Sequence, residues 1–166
     1  MKLARTGVIA AAVLSIATMA FAQKPDFSGT WTMDPASAPA PPAPPAGGGA
    51  GGQGGGMRSV MGGPMVVKQT ADTLTVERIA GESKIVSTYK LNGTESVNTR
   101  TGPAGDIEIR AKARFDGAKL TITTQQPGRD GAVLELSETW SFEGGNLAIE
   151  STNPRGTQKR IYKKTT

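Results

Sequence analysis

Cysteine and histidine are both absent from the 166-residue chain. Without them there is no Cys nucleophile, no Ser-His-Asp triad, no His or Cys zinc site and no His-ligated haem. Any catalysis would rest on carboxylates, Lys, Tyr or Ser. A chain without disulfides must also be held together by its core alone. Excess charge of one sign is missing too. The sequence carries 19 basic and 14 acidic residues, and without Lys2 and Arg5 the balance is 17 against 14. That mild positive charge favours solubility and does not call for nucleic acid.

The N-terminus reads as a leader. Lys2 and Arg5 precede a continuous apolar or small run from Gly7 to Ala20, and Ala20-Phe21-Ala22 is a small-x-small cleavage site. The run is shorter than the ~20 apolar residues that a spanning helix needs. Residues 1–22 are therefore expected to be a signal peptide, the alternative being a retained N-terminal anchor. With no cysteine after the run, a lipid-modified cysteine is excluded. The expected product is residues 23–166, periplasmic or secreted, with no stable membrane insertion after cleavage.

Residues 35–63 form one low-complexity block, rich in Pro and Ala up to Ala46 and holding ten glycines from Gly47 to Gly63. It has almost no apolar side chains to bury, so a disordered loop is expected. An apolar strand pattern precedes the block and a longer one follows it, so it interrupts a single domain.

From Ala71 onward a turn signal recurs every nine to fourteen residues, among them Asn92-Gly93, Asp116-Gly117, Gly144-Gly145 and Asn153-Pro154-Arg155-Gly156. The segments between them alternate apolar with polar, which predicts short antiparallel strands joined by hairpins. Ten are expected: 27–33, 65–70, 73–80, 82–91, 94–101, 106–115, 118–126, 132–143, 146–152 and 157–164. With no long crossover connection evident, the predicted fold is an all-β, up-and-down antiparallel barrel of about 8–10 strands, whose closure removes the sheet edges. A two-sheet sandwich is the alternative.

Period two also assigns faces. Ile109, Ile122, Leu136 and Trp140 count inward, and so do Ser87, Thr124 and Gln126. Glu138 falls inward between Leu136 and Trp140, and Arg78 falls on the face of Leu74 and Val76. A buried carboxylate must be paired or neutralised. Either Glu138 and Arg78 line a wet cavity, or a bulge turns Glu138 outward. The ligand pocket read from this pattern is Glu138, Arg78, Leu136, Trp140, Ile109 and Ile122. The outward stripe Arg110, Lys112 and Arg114 has no aromatic residues interleaved for stacking bases and reads as a solvated face.

Phe27-Ser28-Gly29-Thr30-Trp31 carries a family resemblance. A Gly-x-Trp opening the first strand resembles the signature of lipocalins and their calycin relatives, which include avidins and fatty-acid-binding proteins. The resemblance implies that Trp31 plugs one end of the barrel and that a basic side chain from near the C-terminus covers it. Arg160 is the match and Lys163 the reserve. A cation over an indole is favourable by ~0.5–2 kcal/mol in any case. Trp31 and Trp140 are too few for an avidin-like biotin site.

Three roles follow. The leading one is a non-catalytic, monomeric, lipocalin-like protein with no cofactor that binds a small apolar or amphipathic ligand inside the barrel. The second is a cell-envelope structural or interaction module without such a ligand. The third is copper binding by Met57, Met61 and Met65, whose thioethers suit Cu(I).

Overall fold

The computed structural model describes residues 24–38, 63–80, 83–102, 105–128, 131–154 and 156–165. Ten strands are present: β1 (Gly29–Met33), β2 (Met65–Gln69), β3 (Thr73–Ala80), β4 (Ser83–Lys90), β5 (Asn92–Gly102), β6 (Gly105–Asp116), β7 (Lys119–Pro127), β8 (Val133–Glu143), β9 (Asn146–Asn153) and β10 (Gly156–Thr165). They form one antiparallel sheet in the order β4-β3-β2-β1-β10-β9-β8-β7-β6-β5. The sheet curls so that its two edge strands, β4 and β5, come back to face each other. The fold is a nearly closed all-β barrel rather than a sandwich.

Hairpin chemistry explains the regular cadence. Gly144 and Gly145 link β8 to β9 with φ of 55° and 82°. Positive φ at both central residues is the turn geometry that matches strand twist, and glycine adopts it without steric cost. The ladders then hold strict alternation. Trp140 pairs with Leu120 on one side and Ile149 on the other, and all three are buried. Among the described ladders the register shift lies in β5, between Asn92 and Glu95, and none occurs in β8.

The two ends of the barrel differ. One end holds the hairpins β2–β3, β4–β5, β6–β7 and β8–β9, and it is plugged. Phe27 packs edge-on to Trp140 at 5.9 Å, parallel to Phe115 at 6.3 Å and against Phe142 at 5.0 Å. Trp31 is fully buried beside them, and its indole N–H donates to the Phe27 carbonyl at 3.0 Å. β1 begins at Gly29 rather than at Phe27. Residues 24–28 instead cross the end of the barrel as a strap. Gln69 holds the strap by accepting from the Phe27 N–H at 3.0 Å and donating to the Pro25 carbonyl at 2.8 Å.

The cation over Trp31 is Lys164, with Nζ 5.6 Å from the ring centroid. Neither Arg160 nor Lys163 occupies that place. Trp31 and Lys164 are register partners and share a face, whereas Arg160 lies two inward positions further along the strand, opposite Ile149. Lys163 points outward to Asp34, at 2.9 Å.

The low-complexity block is ordered at its start. Pro35–Ser37 form a single 3-10 turn capped by Asp34, and the Ser37 hydroxyl accepts from the Ile161 N–H at 2.9 Å. Residues 39–62, and with them Met57 and Met61, lie outside the described residues, as do residues 1–22. Met65 is a fully buried core residue between Trp31 and Arg78 in register. Its sulfur lies in the packed core.

The plug should dominate stability. Trp31→Ala is expected to cost about 3–5 kcal/mol, and Lys164→Ala only about 0.5–1 kcal/mol. Gly29 has φ 147°, and an added Cβ would lie 2.6 Å from Lys164 Cε. Gly29→Ala should therefore cost about 1–3 kcal/mol through backbone strain. Denaturant melts of the three variants check this order.

Candidate functional site

The inward residues beyond the plug line a second, wetter compartment. Ile85, Ser87, Ile107, Ile109, Leu134 and Leu136 all point inward by register, yet each stays partly exposed. An inward residue that still meets solvent marks unfilled space at that end of the barrel. Ile122 and Trp140 behave differently. They are 2% and 0% exposed and belong to the plugged core. Of the six residues assigned to the pocket from sequence, Glu138, Arg78, Leu136 and Ile109 face the wetter compartment. Ile122 forms its floor. Trp140 spans both compartments, packed on Phe27 while its indole N–H donates to Glu138 Oε2 at 3.0 Å.

Glu138 points inward because β8 keeps its register. Its Oε2 meets Arg78 Nη2 at 3.5 Å, across the barrel from β3 to β8. The two side chains are 16% (Arg78) and 19% (Glu138) exposed. Burial disfavours the Arg78 cation, but Glu138, Tyr162 and Tyr89 outweigh it and hold the guanidinium above its ordinary value. Arg78 also hydrogen-bonds the Tyr162 hydroxyl. Tyr89 is pushed up, first by burial and then by the Glu138 charge, against a hydrogen bond from Ser87 and the pull of Arg78. Tyr89 is thus a neutral hydroxyl beside an ion pair.

Two more guanidiniums point inward. Arg100 on β5 donates to Gln126 Oε1 at 3.3 Å, and Gln126 is buried. Arg160 on β10 donates to Gln158 Oε1 at 2.9 Å and lies 3.5 Å from Ser151 Oγ. Among the described residues neither has a carboxylate within salt-bridge distance. Glu138 is the one inward acid among the described strand residues. The compartment therefore carries three cations against one anion. The pocket read from the sequence omits Tyr89, Tyr162, Arg100 and Arg160. Counting by two from Ser87, from Asn98 and from the position opposite Ile149 places all four inside.

The outward stripe is solvated as expected. Arg110 is exposed and engages Glu108 at 2.8 Å and Glu95 at 3.6 Å. Among the described residues no group of three or more acids is arranged to hold a metal ion.

Removing one partner of the central pair leaves a poorly hydrated charge, so Arg78→Leu and Glu138→Leu are each expected to cost about 1–3 kcal/mol. The double variant should cost less than their sum, by about 1–2 kcal/mol in a denaturant-based cycle. Tyr89 provides a pH handle. Its value in the folded chain lies above the ordinary 10.0. The stability it contributes is complete below pH 10 and is lost as pH rises through the folded-state value. Wild type should therefore lose stability above pH 10 more steeply than Tyr89→Phe, in urea melts at stepped pH.

No protein-family model matches this sequence, and no curated protein matches it. Solved structures do match at the level of fold. "Human cRBP IV" superposes with a TM-score of 0.56 at 17% identity, covering 85% of this chain and 99% of that one. "REP1-NXSQ fatty acid transporter" gives 0.55 at 15% identity, covering 84% and 96%. A point mutant of the fluorescent protein UnaG gives 0.54 at 20% identity, covering 84% and 96%. These identities speak to architecture alone. With the ten-strand meander and the Gly29-Thr30-Trp31 plug, they make the fold of this chain a lipocalin-like, calycin-type β-barrel.

Proposed function

We propose that this protein is an exported, non-catalytic carrier of a small amphipathic molecule, held with its apolar part in the barrel and its anionic end among the inward arginines. One observation carries the reading. The wetter compartment presents three guanidiniums and a single carboxylate, above a floor of Ile122, Leu120 and Trp140. Arg100 and Arg160 are held in place by neutral amides and a hydroxyl, which orient a guanidinium without cancelling its charge. Carboxylate, sulfonate or phosphate ends match that field. The apolar walls at Ile85, Ile107, Ile109, Leu134 and Leu136 suit a hydrocarbon part. A fatty acid transporter among the fold neighbours agrees with this chemistry.

Catalysis is not part of the reading. Glu138 is tied to Arg78 and Trp140, and among the described residues no second inward acid stands near it for acid–base work. Export rests on the leader sequence in residues 1–22.

The test is native mass spectrometry of the purified chain after exposure to cell-envelope lipid extract, followed by titration with lauric acid and with dodecylamine. The acid should bind and the amine should not. Arg100→Gln and Arg160→Gln should each weaken the acid about tenfold, the scale of one charged hydrogen bond. A barrel that stays empty, or one that prefers the amine, overturns the assignment.

A further inference from the structure

The Arg78–Glu138 ion pair crosses the interior between β3 and β8, which stand on opposite walls whichever way the ten-strand order is followed. Arg100 on β5 and Arg160 on β10 stand on opposite walls as well. In that order β5 falls on one side of the line from β3 to β8, and β10 falls on the other. The pair therefore divides the compartment and leaves one guanidinium without a carboxylate partner in each half.

The hydrogen-bond partners set how far apart the two are held. Arg100 donates to Gln126 on β7, and Gln126 lies opposite Leu134 of β8. Arg160 donates to Gln158 and meets Ser151 on β9, and Ser151 lies opposite Glu138 of β8. The anchors thus flank β8 on either side, displaced along it from Leu134 to Glu138. At ~3.4 Å per residue and ~4.8 Å per strand, they are roughly 15 Å apart along the wall. No single carboxylate, sulfonate or phosphate bonds both guanidiniums. Between them β8 turns Leu134 and Leu136 inward, and both stay partly exposed. Charge points the same way. Three inward guanidiniums against one inward carboxylate leave two positive charges uncancelled among the described strand residues. A monoanion cancels one of them. The other would then lose water to the ligand without gaining a counter-ion, which is costly. A dianion cancels both.

We infer that the ligand is a dianion, an apolar segment with an acidic group at each end, one group on Arg100 and the other on Arg160, its middle lying over Leu134 and Leu136. The inference deepens the carrier reading and rests on it. Such binding is bivalent. Once one acid is seated, the other meets its arginine as a tethered group, at a high effective concentration when the spacer matches the span. Arg78 and Glu138 stay joined beneath the spacer, with Glu138 also held by the Trp140 indole. A monoacid of the same length leaves an apolar end against a guanidinium.

Dodecanedioic acid is the probe, and lauric acid is its monoacid counterpart of equal carbon number. Titration calorimetry of the purified chain reads both Kd values. The diacid should bind about tenfold more tightly, the scale of one added charged hydrogen bond. The ratio of the two affinities is decisive, because a general change in the pocket moves both acids together. Arg100→Gln and Arg160→Gln should each bring the ratio down to about one. Arg100→Lys, which keeps the charge, should retain most of it. Arg114→Gln, exposed and outward on β6, should leave it as in wild type. A wild-type series needs no variant to fold. Lengthening hexanedioic to dodecanedioic acid should gain more affinity than lengthening hexanoic to lauric acid, since only the longer diacid spans both arginines. If wild type binds neither lauric nor dodecanedioic acid, the carrier reading falls and takes the dianion with it. If lauric acid binds and the diacid binds no tighter, if the ratio survives both glutamine variants, or if the diacid series gains no more than the monoacid series, the dianion alone is overturned.

Discussion

Trp140 is the side chain on which both halves of this barrel depend. Its ring packs edge-on against Phe27 in the aromatic plug, and its indole N–H donates to Glu138 in the polar cluster. A buried indole needs a partner for its N–H. Here the partner is a carboxylate, and the carboxylate in turn needs a cation, which Arg78 supplies from the opposite wall. One large aromatic residue in β8 thus ties the plugged end to the charge in the interior. The chain of contacts from Phe27 through Trp140 and Glu138 to Arg78 and Tyr162 crosses the barrel from wall to wall.

That chain of contacts explains why the molecule has one packed end and one wet end. Without disulfides, the sheet must be anchored by packing, and the large aromatic side chains are concentrated where they can do it, at Phe27, Trp31, Phe115, Trp140 and Phe142. Little bulk remains for the other end. There Ile85, Ser87, Ile107, Ile109, Leu134 and Leu136 line the walls and stay partly exposed, and the contact that spans the interior is the Arg78–Glu138 pair. The Gln69 clamp on the strap and the Lys164 cover on Trp31 belong to the same division of labour. Both serve the end that carries stability.

The strand meander is legible because hairpin turns and period-two alternation are local, and both are written in residues such as Gly144-Gly145 and the run from Ile107 to Phe115. The inward direction of Glu138 and Arg78 follows from the same counting. What the alternation cannot convey is position along the barrel axis. Ile122, Ile109 and Leu136 all count inward, yet one is floor and the others are wall, because height depends on strand tilt and on ladder offsets between strands. The same limit hides the true cover of Trp31. Arg160 and Lys164 share a face, and only the pairing of Trp31 with Lys164 tells them apart. The break in the sheet between β4 and β5, where Asn98 bonds the Thr88 backbone and Ser96 the Lys90 N–H, is hidden for another reason. Asn98 and Ser96 read as ordinary polar residues of a strand, and nothing in a one-dimensional pattern says that their amide and hydroxyl replace a ladder. The strap at residues 24–28 mimics a strand because Phe27 fits the apolar pattern, although its N–H bonds a side chain instead of a neighbouring strand.

The distribution of charge suits the proposed carrier role, which asks both for a stable fold and for an attraction towards an anion. A guanidinium sealed in apolar surroundings without a counter-ion would be too costly to keep. Two features relieve that cost. The deepest arginine, Arg78, has Glu138 beside it. Arg100 and Arg160 lie where solvent still reaches and have the amides of Gln126 and Gln158 as acceptors. Among the described residues, therefore, no buried charge is left unpaired, and no buried side-chain polar atom lacks a hydrogen bond. In the proposed carrier role an anionic group would replace water around Arg100 and Arg160 and leave the Arg78–Glu138 pair joining the two walls. Stability and the proposed attraction thus fall to different arginines of the same compartment.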